Sequence, residues 1–275
     1  MARRWLVTGC SSGLGRALAE SLARAGDLAV VTARRTASLA ELAAAWPENL
    51  FPVAMDLSDA QQCEDAVKAA VERFGGIDVL VNNAGSGLFG AVEEVADEEL
   101  REQLESLVVG PWRLVRLALP TMRAQGSGHI VNVSTTGARS TVPGLAAYLS
   151  GKAALEGMSL ALANEVAPLG IRVTVVEPGA FATRYGTVLG ETAAKLPEYA
   201  ALSGMLGLLR GLDANPDVGR PEQFAEAVLA IVGAPDPLPV RIPVGPGASE
   251  IISEAVQAAG SELDSVRDLT FGASH

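Results

Sequence analysis

The feature that most constrains this chain is an alternation of two patterns. Trp5–Thr8, Leu28–Ala33, Leu50–Met55, Ile77–Val81, Gly128–Val133 and Ile171–Val176 are short, mostly apolar runs. Stretches of helical spacing separate them. The first carries Leu14, Ala17, Leu18 and Leu22 and closes at Gly26. A short one runs from Thr36 or Ser38 through Ala45 and stops at Pro47. A third, Ala60–Phe74, is opened by Ser58 or Asp59 and ended by Gly75–Gly76. Asp97–Ala124, with a bend at Gly110–Pro111, and Tyr148–Ala167 complete the set. Strands without polar alternation are buried on both faces, which requires parallel pairing and a helix on each return. Right-handed crossovers then give an α/β fold, a doubly wound, mostly parallel sheet with helices on both faces. Beyond Pro178–Gly179 the pattern breaks. Residues 183–213 are apolar and Gly-rich without a clean period. A helix Pro221–Val232, a strand Val240–Val244 and a terminal helix Ser249–Leu269 follow. No repeat, linker or low-complexity tract divides the chain, so residues 1–275 read as a single domain.

Composition narrows the function. A net charge of −11 argues against nucleic acid and anionic membranes, whose phosphates would be repelled. Two cysteines, Cys10 and Cys63, make neither a disulfide scaffold nor a zinc site. His129 reads as a strand-start residue, His275 stands alone, and no metal site is expected. The opening MARRWLVTGC is too short for a signal peptide, and no apolar run reaches the ~18 residues of a membrane span. A reducing cytoplasm is the expected setting.

Five motifs carry chemistry. Thr8-Gly9-x-x-x-Gly13-x-Gly15 lies between a strand and a helix. Its glycines allow close approach of backbone to ligand, and the helix start offers free N–H groups to a pyrophosphate. The second strand ends Thr32-Ala33-Arg34-Arg35, with no acid to take a ribose 2′-hydroxyl. A guanidinium there suits a 2′-phosphate, hence NADP(H), with Ser11 or Ser12 adding a hydroxyl. Asp56-Leu57 is placed to meet an adenine, and Asn82-Asn83-Ala84-Gly85 lets a cofactor lie close to backbone. Finally, Tyr148 and Lys152 share one helical face. The lysine cation is expected to lower the tyrosine pKa. Thr135, thirteen residues upstream of Tyr148, could fold back towards it. Alone, such a pair is usually a surface coincidence.

Together, TGCSSGLG, DL at 56–57, NNAG at 82–85, the Tyr148/Lys152 pair and Pro178-Gly179 with Thr183 resemble the short-chain dehydrogenase/reductase family over nearly the whole chain. TARR and the tail GRPEQFAEAVLAIV…VRIPVG resemble its NADP-using, hydroxysteroid-dehydrogenase-like branch. The resemblance implies a Rossmann fold and a ketoreductase or alcohol dehydrogenase acting on CH–OH. Tyr148 would be the general acid, tuned by Lys152, with Thr135 as the third catalytic residue. Cofactor contacts would come from Gly9, Ser11, Ser12, Gly13, Leu14, Gly15, Arg34, Asp56, Leu57, Asn82, Ala84, Gly85, Tyr148, Lys152, Pro178, Gly179, Phe181 and Thr183. Residues 184–213 would form a lid over a hydrophobic carbonyl or alcohol, with Phe89 and Val142 also on the pocket. The helices Asp97–Ala124 and Tyr148–Ala167 would build a homodimer or homotetramer.

The chain departs from the family pattern at three places. Thr135 stands where Ser is usual, with Ser134 beside it. Gly151 stands where Ser is usual. Leu107 stands in SLVVG where the family commonly carries an Asn that seats a water near the lysine; Ser106 is the nearest hydroxyl. These departures support an alternative: a non-redox or catalytically impaired member of the fold that binds cofactor as a sensor, scaffold or isomerase-like protein.

Overall fold

A computed structural model describes residues 2–235 and 237–267. Seven parallel strands form the central sheet: β1 (Arg4–Val7), β2 (Leu28–Ala33), β3 (Leu50–Ala54), β4 (Val79–Asn82), β6 (Gly128–Val133), β7 (Ile171–Pro178) and β9 (Arg241–Val244), in the spatial order β3-β2-β1-β4-β6-β7-β9. Two short strands outside it, β5 (Leu88–Phe89) and β8 (Gly190–Glu191), pair with each other. The helices are α1 (Gly13–Arg24), α2 (Ala40–Ala45), α3 (Ala60–Phe74), α4 (Asp97–Leu104), α5 (Gly110–Gln125), α6 (Ala146–Val166), α7 (Tyr185–Val188), α8 (Leu202–Arg210), α9 (Pro221–Gly233) and α10 (Ala248–Ser265). Leu269, the expected end of the last helix, and His275 lie outside the described residues.

The sheet is buried on both faces, and the pleat shares its residues between two cores. Trp5, Val7, Val31, Val79 and Val131 face Leu18 and Leu22 of α1 and Phe224 and Val228 of α9. Leu6, Val30, Leu80 and Ile130 face Ala66 of α3, Leu114 and Met122 of α5, and Leu162 of α6. This explains why the strands lack polar alternation. A third cluster, with Phe89, Leu107, Leu145, Tyr148, Leu189 and Leu206, lies under the segment after β7. Among the described residues no helix is long and apolar enough to cross a membrane.

Local chemistry sets the element ends. Asp59, rather than Ser58, caps α3, accepting from Gln61 N at 2.9 Å and Gln62 N at 3.1 Å. Gly75 ends the helix at φ +79°. The long predicted helix 97–124 is not continuous up to Gly110–Pro111. It is interrupted just before, by a π turn over Glu105–Val109. The extra residue of a π turn rotates side chains out of the α register, and Leu107 comes to lie fully buried beside α6. Gly110 then lets the helix pass the loop after β3, where a Cβ would stand 2.7 Å from Leu57 Cβ.

Candidate active site

In the strand order, β1 and β4 leave in opposite directions. A crevice opens at the carboxyl ends of strands at such a switch point. Here it is a cavity of about 670 Å³, lined from the ends of β1, β2, β4, β6 and β7 and from the segment after β7.

The β1–β4 end is backbone against backbone. Gly9 and Gly13 have φ of +74° and +57°. A Cβ at Gly9 would stand 2.8 Å from Ala84 Cα, and one at Gly15 would stand 2.4 Å from Gly9 O. Thr8 stitches the two strand ends together. Its Oγ1 accepts from Asn83 N at 3.0 Å and Ala84 N at 2.9 Å, and its carbonyl accepts from Asn83 Nδ2 at 2.8 Å. Ser12, at the N-cap of α1, is extended and makes no side-chain cap, so that helix start keeps its N–H groups for a ligand. Arg34 lies on the wall near Asp56. The Ser58 amide and hydroxyl hold the Asp56 carboxyl below its usual range, and the Arg34 charge adds to the effect.

At the other end, Tyr148 and Lys152 come from successive turns of α6, and both are buried. Lys152 Nζ donates to Val133 O at 2.6 Å and lies 5.8 Å from the Tyr148 ring centre. The expected lowering of the tyrosine pKa is not found. Burial raises Tyr148 to about 12, with the neighbouring Tyr185 pulling the other way. Burial also lowers Lys152 to about 8, partly opposed by Glu156. Removing both groups from water outweighs the attraction between them. Thr135 Oγ1 lies on the cavity wall and accepts from Gly137 N at 3.2 Å. Ser134 is committed elsewhere, its hydroxyl donating to the buried Glu156 Oε1 at 2.6 Å.

Leu107 and Gly151, two separate departures in the sequence, meet in space. A Cβ at Gly151 would stand 2.9 Å from Leu107 Cδ1, and one at Gly85 would stand 2.7 Å from Leu107 Cδ2. Leucine in place of a smaller polar residue therefore fits because position 151 has no side chain. Ser106 lines the cavity, and its hydroxyl donates to Gln103 O at 3.0 Å.

The short chain dehydrogenase family model matches residues 3–194. The chain belongs to the short-chain dehydrogenase/reductase family. Members of this family are oxidoreductases that use a nicotinamide cofactor. The chain is 36% identical over 275 residues to Oxidoreductase BOA17 of Botryotinia fuckeliana, covering 100% of both proteins. It is 32% identical over 247 residues to the 3-ketodihydrosphingosine reductase of Bacteroides thetaiotaomicron, covering 88% of this chain and 87% of that one. A solved short-chain dehydrogenase from Streptomyces avermitilis superposes with a TM-score of 0.87 at 39% identity, covering 99% of this chain and 98% of that one. These matches reach the family and not a branch within it.

Within this short-chain dehydrogenase fold, the cavity brings together Gly9, Ser11, Ser12, Gly13, Leu14, Arg34, Asp56, Leu57, Ala84, Gly85, Thr135, Tyr148, Lys152, Pro178, Gly179, Phe181 and Thr183. Two expected cofactor residues stand off its wall. Gly15 packs beneath the turn, against Gly9 O and Asn83 Nδ2. Asn82, still inside β4, turns into the sheet and donates to Asn132 Oδ1 at 2.8 Å. Its neighbour Asn83, just past the strand end, is the one on the wall. Val142 lines the cavity as expected, whereas Phe89 is packed under Gly144, where a Cβ would stand 2.5 Å from its ring. Sequence reasoning missed Arg184, which lines the cavity directly after Thr183. It also missed the buried Glu156 and Glu177, paired with Arg241 and Arg139 at 3.0 Å each. A charged residue in the centre of an apolar helix, Glu156, was the available signal.

Proposed function

We propose that the protein is an NADP(H)-dependent oxidoreductase that interconverts a carbonyl and a secondary alcohol on an apolar small molecule. The observation that carries this reading is Tyr148, buried and protonated at neutral pH, on a cavity that joins a glycine-floored trough to an apolar pocket. The trough fits a dinucleotide: a Cβ at Gly9 would fill the place where Ala84 and a ligand approach the turn. Gly13, Ser12 and Leu14 at the start of α1 would hold the pyrophosphate, Arg34 a 2′-phosphate, Asp56 and Leu57 the adenine edge, and Gly179, Phe181 and Thr183 the nicotinamide end. When bound, the cofactor supplies or accepts a hydride.

The protein's own residues manage the proton. Tyr148 Oη donates to the substrate oxygen during reduction and takes the proton back during oxidation. Lys152, positively charged below about pH 8, favours the phenolate that remains. Thr135 Oγ1 has a hydroxyl proton free to orient the carbonyl. Val142, Leu145, Leu149, Val188 and Leu209 make the pocket wall apolar. The similarity to the 3-ketodihydrosphingosine reductase of Bacteroides thetaiotaomicron, named for reduction of a keto compound, supports a ketone substrate. Exposed Val109 and Trp112, on the outer side of the α4–α5 region, support assembly into a homodimer or homotetramer.

The test is NADPH oxidation with a panel of apolar ketones, comparing wild type with Tyr148→Phe. The variant should lose roughly 10²–10⁴-fold in kcat while keeping its affinity for NADPH. Equal turnover by both proteins would remove Tyr148 from its role. Arg34→Ala should weaken NADPH much more than NADH. A second reading, a cofactor-bound non-redox protein, draws on Leu107, an apolar side chain packed against Gly85, the residue that Lys152 Nζ also approaches. Tight NADPH binding with no turnover on any carbonyl would favour it.

A further inference from the structure

We propose that Tyr185 is a positioning residue for Tyr148, its hydroxyl donating to Tyr148 Oη when that oxygen has given up its proton. The proposal rests on the reading of Tyr148 as proton donor. It starts from a buried hydroxyl beside the Tyr148 phenol. Tyr185 opens α7 two residues after Thr183, and its amide donates to Thr183 Oγ1 at 3.2 Å. Its ring lies against that of Tyr148, with centres 5.8 Å apart and planes tilted by 52°. Its Oη is buried and finds no hydrogen-bond partner of good geometry. Buried hydroxyls without partners are disfavoured, and one beside a catalytic group calls for an explanation.

The slot for this hydroxyl is built. A Cβ at Gly87 would stand 2.5 Å from Tyr185 Oη and 2.7 Å from Leu189 Cδ1, so the glycine makes the room that the phenol end occupies. From behind, a Cβ at Gly186 would stand 2.3 Å from Leu209 O, so α7 is pressed onto α8. Tyr185 is thus fixed with its oxygen at the catalytic end.

A phenolate on Tyr148 needs donors. The titratable or charged groups around it are Lys152 and, one turn further along α6, Glu156, together with Tyr185 and Arg184 from the segment after β7. Lys152 Nζ is turned to Val133 O, towards the face of the ring. Thr135 is assigned to the substrate oxygen. Tyr185 is the neighbouring neutral donor whose proton is uncommitted. Burial and the Tyr148 oxygen both push the Tyr185 pKa far up, so Tyr185 keeps its own proton while Tyr148 loses one. The proton given to substrate therefore leaves Tyr148 alone, and Tyr185 only turns its O–H towards the new charge.

The test uses Tyr185→Phe, which keeps the ring, with NADP bound throughout. The chain has three tyrosines, Tyr148, Tyr185 and Tyr199, so labelling their Cζ carbons gives signals that single variants assign. The Tyr148 signal should begin its move to the phenolate position about one pH unit higher in Tyr185→Phe than in wild type. Tyr199, hydrogen-bonded to Glu93 on the outside of the segment, should not change. In alcohol oxidation, kcat should fall about tenfold and the alkaline rise in rate should shift by the same unit, with KM and NADPH affinity unmoved. An unchanged Tyr148 titration, or a loss confined to KM, overturns the proposal. If instead Tyr148→Phe keeps full activity, the functional reading fails, and the titration still decides whether the two phenols are coupled.

Discussion

The two ends of the cavity hold their shape by different means. At the β1–β4 end, the walls are backbone: Gly9 against Ala84, Gly15 against Gly9, and Thr8 bonded across two strand ends. At the other end, the segment after β7 is fastened by side chains from far away in sequence. Glu94 accepts from Leu196 N at 2.8 Å and Ala91 N at 2.9 Å, and Glu99 accepts from Ala193 N at 3.1 Å. Thr192 Oγ1 lies 2.7 Å from both Glu94 O and Glu99 Oε2, and Tyr199 Oη donates to Glu93 at 2.8 Å. A backbone wall cannot open without breaking the sheet. Carboxylate fastenings can be released one at a time. Under the proposed function, the contrast would keep the cofactor side constant while the substrate side can open.

The harshest way to break the first end is Gly15→Ala. Its Cβ meets two atoms that cannot move freely, Gly9 O at 2.4 Å and Asn83 Nδ2 at 2.5 Å. Overpacking against backbone should cost about 3 kcal/mol and abolish cofactor retention. Urea unfolding and NADPH titration would measure both. A variant with wild-type stability would show that the turn is not rigid.

Next in size is a gain. Lys152→Met should raise stability at neutral pH by roughly 2–3 kcal/mol, because the native state now holds a buried ammonium whose pKa is lowered to about 8. The sign follows from linkage. Between that value and the ordinary 10.5, the unfolded chain binds the lysine proton and the native state does not. Wild-type stability therefore rises through this interval relative to the variant, and the difference closes. Denaturation of both proteins from pH 7 to pH 10 checks it. A variant less stable than wild type would mean that the bond to Val133 O outweighs burial. The same variant should lose turnover, which sets function against stability in one residue.

Much of the first end was legible in the sequence because it is local. Gly9, Gly13 and the α1 start form one contiguous turn, and the arginine at the end of β2 is read in place. Even there the pleat decided which asparagine faces the cavity: Asn82 belongs to the strand and turns inward, and Asn83 lies past it. At the second end, Tyr148 and Lys152 were legible from spacing only together with the motifs around them, and their protonation was not, since it depends on burial. The anchoring of Thr192, Ala193 and Leu196 by Glu94 and Glu99 spans some ninety to a hundred residues and leaves no local pattern. Nor does spacing reveal that Leu107 and Gly151 answer each other.

That pair supplies a sharper test of the boundary between the two ends. Gly151→Ser should cost about 2 kcal/mol, because its Cβ would stand 2.9 Å from Leu107 Cδ1 and 3.0 Å from Leu107 Cβ. Combined with Leu107→Ala, the serine should cost much less than it does alone. A double-mutant cycle on unfolding free energy reads the coupling directly. Additive losses would mean that the two positions are independent.

The smallest effect is the most specific to the second end. The amides of Leu196 and Ala91 hold the Glu94 carboxyl below its usual range, and the Thr192 hydroxyl with the amides of Ala96 and Ala193 does the same for Glu99. Groups with lowered folded pKa values stabilise above their unfolded value of about 4.3 and lose that contribution as pH falls through the folded one. Acid below about pH 4 should therefore loosen residues 190–200 while the Gly9–Gly15 turn, which has no carboxylate in its wall contacts, stays closed. Limited proteolysis from pH 7 down to about pH 3, below the unfolded carboxylate value, should show cleavage of this segment before global unfolding, and Glu99→Gln should allow that cleavage already at neutral pH. If cleavage of the segment instead waits for the whole chain to unfold, the carboxylates do not fasten it independently, and the two ends of the cavity open as one unit.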